Sequence, residues 1–114
     1  MRVLIVDDSP QRYPVLEAYV RFLGASEVVI TLEVPEDLSN FDLVCLDYHL
    51  GADTALDALE RLPPERLCGP PYLVHSTAGL EATMLEDWLR KQGLQVERLP
   101  YPPLPGRHRK GRTL

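Results

Sequence analysis

The chain has 114 residues, 45% hydrophobic and 25% charged, and a formal net charge of -5. That is enough for one core and too little for two. No apolar run nears the ~20 residues that cross a bilayer, the acidic balance argues against a general nucleic-acid binder, and two cysteines make no disulfide framework.

Taken in order, Arg2–Val6 reads as a first strand, since Val3-Leu4-Ile5-Val6 is unbroken and apolar. It leads straight from the N-terminus and is not a signal peptide. Asp7 and Asp8 close it, and Ser9-Pro10 opens a turn. A helix is expected from Gln11 or Tyr13 to Leu23, with Val15, Leu16, Tyr19, Val20 and Leu23 facing the sheet. Pro14 is tolerated in its first turn and Gly24 ends it. Glu27–Leu32, rich in β-branched residues, predicts a second strand. Residues 33–40, interrupted by Pro35, predict a loop or a single turn.

The third strand, Asp42–Asp47, contains the run Leu43-Val44-Cys45-Leu46 and reads as a strand covered on both faces. Residues 48–53 predict a loop, and Thr54–Leu62 a short helix stopped by Pro63-Pro64. Tyr72–His75 predicts a fourth strand, followed by Ser76. Gly79 or Leu80 to Gln92 predicts the longest helix, its buried stripe formed by Leu80, Met84, Trp88 and Leu89. Leu94–Leu99 predicts a fifth strand. Strands alternating with helices specify a parallel sheet with right-handed crossovers. The remaining residues, 102–114, are proline-rich and basic. They carry Arg107, Arg109, Lys110 and Arg112, and predict an extended arm or a disordered tail. With Cys45 inside a strand and Cys68 in a loop, a reducing cytoplasm is expected.

Asp47 ends a central strand, where open α/β sheets bind ligands. Asp7 and Asp8 end another. Three converging carboxylates are costly without a cation, and hard oxygen ligands suit Mg²⁺. The dull reading is that such acids merely make turns. His75 reads as a core histidine or as an acid/base group near Asp47. A Ser76–His75–Asp47 triad is not expected, because neighbouring strand residues face opposite ways. His49 and Tyr48 read as loop and packing residues.

The segments VLIVDDS, LVCLDYHL, LVHST and LPYPP stand in the order and approximate spacing of a response-regulator receiver domain, which residues 1–101 resemble. The resemblance implies a flavodoxin-like open parallel five-stranded sheet, order 2-1-3-4-5, with helices 2 and 5 reduced. It implies Mg²⁺ at Asp7, Asp8 and Asp47, a phosphoacceptor at Asp47, and a hydroxyl residue at Ser76 that follows phosphorylation. A partner histidine kinase would supply the phosphoryl group, and the signal would leave through protein contacts in a stand-alone module. The departures are specific. Leu99-Pro100 stands where the family has lysine before proline, Val96 stands for the switching aromatic, and the last helix is missing. His75-Ser76 is also similar to a receiver-like group proposed to process cyclic phosphates, although Ala78 falls near its expected asparagine. That likeness implies a metal-dependent phosphoesterase assisted by His75. A metal-free scaffold is the third reading. Without a last helix, half of one sheet face should be bare. A homodimer, a partner or the arm from Tyr101 to Leu104 would cover it. Neither a membrane nor nucleic acid is an expected partner.

Overall fold

The computed structural model describes residues 1–76 and 79–101; the expected tail at 102–114 lies outside the described residues. The chain runs β1 (Arg2–Val6), a 3-10 turn (Pro10–Arg12), α1 (Tyr13–Phe22), β2 (Glu27–Thr31), β3 (Leu43–Leu46), β4 (His49–Leu50) and β5 (Asp53–Thr54). It continues with α2 (Ala55–Glu60), a second 3-10 turn (Pro64–Arg66), β6 (Tyr72–Val74), α3 (Gly79–Lys91) and β7 (Val96–Arg98). Five strands form one sheet in the order β2-β1-β3-β6-β7, every neighbouring pair parallel. With the short β4–β5 pair set aside, this is the 2-1-3-4-5 order expected. No helix among the described residues is long and apolar enough to cross a membrane.

The strands are apolar because both faces are covered. Leu4, Val6, Val44, Leu46, Tyr72 and Val74 point into a core shared with α2 and α3. Their neighbours Val3, Ile5, Leu43, Cys45 and Leu73 alternate to the other face and pack with Leu16, Tyr19 and Val20 of α1. The region between β2 and β3 forms no helix, as expected. Leu38 fills that space instead, fully buried, its N–H bonded to the Arg66 carbonyl at 2.8 Å.

Four expectations need correcting. Residues 48–53 are not a plain loop. His49 pairs with Thr54 and Leu50 with Asp53 in an antiparallel hairpin around Gly51-Ala52. Gly51 has φ of 66°, and a glycine first in a two-residue loop suits a II′ turn. Thr54 is the cap of α2 rather than its first residue, its hydroxyl accepting from the Asp57 N–H. The buried face of α3 consists of Ala82, Leu85, Glu86 and Leu89, while Leu80 and Met84 are exposed. Likewise α1 buries Leu16, Tyr19 and Val20 but leaves Val15 exposed.

The β6–β7 half of the α1 face carries the start of the Tyr101–Leu104 arm, one of the three coverings expected. Leu73 and Leu99 are buried within the single chain, and Tyr101 packs against their cluster. The β6–β7 half of that face is therefore not bare.

Candidate functional site

The site grows from strand register. Asp7, Asp47 and His75 each follow their strand directly, two residues after the α1-facing Ile5, Cys45 and Leu73. The ladder extends to them: the Asp47 N–H donates to the Val6 carbonyl and the His75 N–H to the Leu46 carbonyl, each at 3.0 Å. Alternation thus turns all three side chains to the face on which α1 begins. Order 2-1-3 reverses the winding between β1 and β3, and Asp7 and Asp47 flank that switch point.

Asp7 is fully buried and its bonding is crowded. Its Oδ1 accepts the Ser9 N–H at 2.8 Å, and its carbonyl accepts the Tyr13 hydroxyl at 2.7 Å. Oδ2 accepts from His75 Nε2 at 3.0 Å and from Arg12 Nη1 at 3.5 Å. Asp47, 6% exposed, accepts the Tyr48 N–H on Oδ1 at 2.9 Å and Arg12 Nη1 on Oδ2 at 3.0 Å. Asp8 is exposed, and its Oδ2 accepts the Gly51 N–H at 2.7 Å, so the β4–β5 hairpin holds it toward the pocket.

Carboxylate oxygens of Asp7, Asp8 and Asp47 lie within 4.8 Å of one another. Oxygens on opposite sides of Mg²⁺ stand about 4.2 Å apart, at twice a bond length of about 2.1 Å. Three ligand oxygens on one octahedral ion include at most one opposite pair, the others standing about 3.0 Å apart, so the three aspartates would hold the ion after closing on it. Such an ion would offset the charge of the three carboxylates.

Arg12 was not among the residues that sequence reasoning singled out. The 3-10 turn Pro10–Arg12 places it at the mouth of α1, from where its guanidinium bridges Asp7 and Asp47. The one available signal was a cation five residues beyond Asp7, in the loop after a strand that ends in acid. His75 contacts Asp7 rather than Asp47. Its ring is fully buried, and Nδ1 has no hydrogen-bond partner among the described residues. A carboxylate only accepts, so Nε2 carries the hydrogen that His75 donates to Asp7. Ser76 is buried directly after it. His49 sits at the rim, paired with Glu81 of α3 at 2.7 Å, and Tyr48 is a core residue. Arg98, one residue from the family's lysine position, turns to α3 and binds Glu86 and Thr83.

Two adjacent buried carboxylates are pushed apart in acidity. Burial works to raise the pKa of Asp7. The bond from His75, the Ser9 N–H and the charges of His75 and Arg12 together outweigh it and hold Asp7 below the ordinary value. Burial, and then the charge of Asp7, raise the pKa of Asp47. His75, Arg12 and the Tyr48 N–H do not compensate. Raised means that ionised Asp47 is worse off folded than unfolded. This penalty is full above its folded pKa and fades as pH falls through it toward 3.8. Asp47→Asn is therefore expected to raise the melting temperature of the metal-free protein at neutral pH by roughly 2–5 °C. The gain should shrink as pH falls and disappear in saturating Mg²⁺. Calorimetric scans with and without Mg²⁺ check this, and a loss of stability at neutral pH would refute it.

No family model and no curated protein matches this sequence. Among solved structures it is similar to a provisionally assigned response regulator from Chloroflexus aurantiacus J-10-fl, with 21% identity and a TM-score of 0.65. The match covers 93% of this chain and 88% of that one. With the strand order and the position of the acids at the ends of β1 and β3, this establishes that the chain has the flavodoxin-like fold of response-regulator receiver domains.

Proposed function

We propose that this chain is a receiver-like signalling or regulatory module. Its pocket takes Mg²⁺ at Asp7, Asp8 and Asp47, and Asp47 accepts a phosphoryl group from a protein partner in the cytoplasm. The observation that carries this reading is Asp47 itself. It ends the central strand at the switch point, with two further acids within 4.8 Å and a guanidinium 3.0 Å from its Oδ2. Transfer to a carboxylate oxygen forms a P–O bond to Asp47 and breaks the bond to the donor. The charge spread over the phosphoryl oxygens then needs nearby cations. The family's lysine is replaced by the buried Leu99, so Arg12 is the cation this chain sets against Asp47.

Intact-mass spectrometry after incubation with a small phosphodonor and Mg²⁺ tests the reading. One phosphoryl mass is expected on the wild type and none on Asp47→Asn. An unmodified wild type, or an adduct that survives in the variant, overturns Asp47 as acceptor. Arg12→Gln is expected to slow formation of the adduct by about 10²-fold, which is the scale of losing one charge-stabilising donor.

A further inference from the structure

Arg12 touches two things at once. One Nη1 reaches both pocket carboxylates, at 3.0 Å from Asp47 and 3.5 Å from Asp7. Its guanidinium carbon also lies 5.4 Å from the centre of the Tyr101 ring, within cation–π range. Tyr101 in turn packs on the cluster of Leu73, Leu99 and Cys45. It is the last described residue before the proline-rich, basic tail. A single side chain therefore joins the acidic pocket to the start of the C-terminal arm.

We propose that Arg12 is a tethered cation that competes with a divalent metal for Asp7 and Asp47, so that metal entry moves Arg12 and loosens Tyr101 from the α1 face. The inference rests on the metal reading of the pocket given above. Its physical basis is charge and space. The carboxylates face an arginine that is always charged, and its side chain is only 24% exposed. A divalent ion bound by the same oxygens would stand within a few ångströms of the guanidinium, where like charges repel strongly in a partly buried site. Asp8, which has no ion pair to Arg12 and is exposed, is the carboxylate most available to an incoming ion. As the ion gains Asp47, Arg12 loses its shorter contact, and the ring of Tyr101 loses a cation held over it. Nothing in this sequence of events requires phosphorylation. A phosphoryl group on Asp47 would recapture the guanidinium with charge-assisted bonds, so metal alone and metal with phosphate give the arm opposite instructions.

Calorimetric titration with MgCl₂, together with NMR of the Tyr101 ring assigned through Tyr101→Phe, tests this on the full chain. Arg12→Gln is expected to bind Mg²⁺ about 10-fold more tightly than wild type or better, and Arg12→Lys to fall nearer wild type. In the wild type, Mg²⁺ should shift the Tyr101 ring resonances. In Arg12→Gln those resonances should already differ, and Mg²⁺ should leave them unchanged. Equal Mg²⁺ affinity in wild type and Arg12→Gln would overturn the competition while leaving the metal pocket standing. Tighter binding with an unmoved Tyr101 ring in the wild type would overturn the link to the arm. Binding by neither protein would overturn the metal reading and this inference with it.

Discussion

His75→Leu is expected to destabilise the protein by about 3 kcal/mol, the scale of removing one partner from a buried ionic hydrogen bond. Leucine is apolar and of similar bulk, so it fills the space and leaves little cavity. What it cannot supply is the N–H that reaches Asp7 Oδ2 at 3.0 Å in a site where both side chains are fully buried. Asp7 keeps the Ser9 N–H and the longer contact to Arg12, which is why the loss stays at the lower end of the range for such pairs. Asp7→Asn in the His75→Leu background removes the stranded charge, so the double variant should be more stable than the sum of the singles by about 1–2 kcal/mol. Urea unfolding of the four proteins measures this. The pH dependence gives an independent check. Asp7 is held below its ordinary pKa, so its stabilising contribution is present above 3.8 and is lost as pH falls through the lower folded value. The gap between wild type and His75→Leu should therefore narrow in acid. An additive cycle, or a cost below about 1 kcal/mol, would mean that His75 is merely filling space.

The fold was legible because periodicity and punctuation agree along the chain. Val3–Val6 and Leu43–Leu46 can only be strands buried on both faces, and Gly24 and Gly93 stop their helices with φ of 117° and 83°. The acids of the site were legible for the same reason, since a carboxylate that closes such a run must lie at the carboxyl end of the sheet. What was not legible depends on through-space pairing. Arg12 looks like one more helix-start residue until the 3-10 turn aims it back over β1 and β3. His75 could have been assigned to Asp7 by counting, since Ile5, Cys45 and Leu73 set the parity of the α1 face. That count needs the register of three strands, which local pattern does not supply. The hairpin His49–Thr54 was hidden by its brevity, although Gly51-Ala52 is a signal for its turn.

The helix faces offer the sharpest quantitative contrast. Leu85→Ala is expected to cost about 3 kcal/mol and Leu80→Ala less than about 0.5 kcal/mol, although both are leucines of the same helix. The apolar spacing of Leu80, Met84 and Trp88 looks like a buried stripe, yet Leu80 is 77% exposed and Leu85 fully buried. Five residues at 100° each put the two about 140° apart around the helix, so both cannot face the sheet. The side turned inward carries Ala82, Leu85 and Leu89, and with them Glu86. Glu86 is buried beside Leu85 and ion-paired to Arg98 of β7, which also bonds Thr83. Arg98 alternates to the α3 side of β7, away from Leu99, where it meets Glu86. Leu80 and Met84 are left outward, one turn apart. Urea midpoints of the two alanine variants, at unchanged m-value, decide the matter. A larger loss in Leu80→Ala than in Leu85→Ala would place the helix in the rotation suggested by its apolar spacing, with Glu86 turned to solvent.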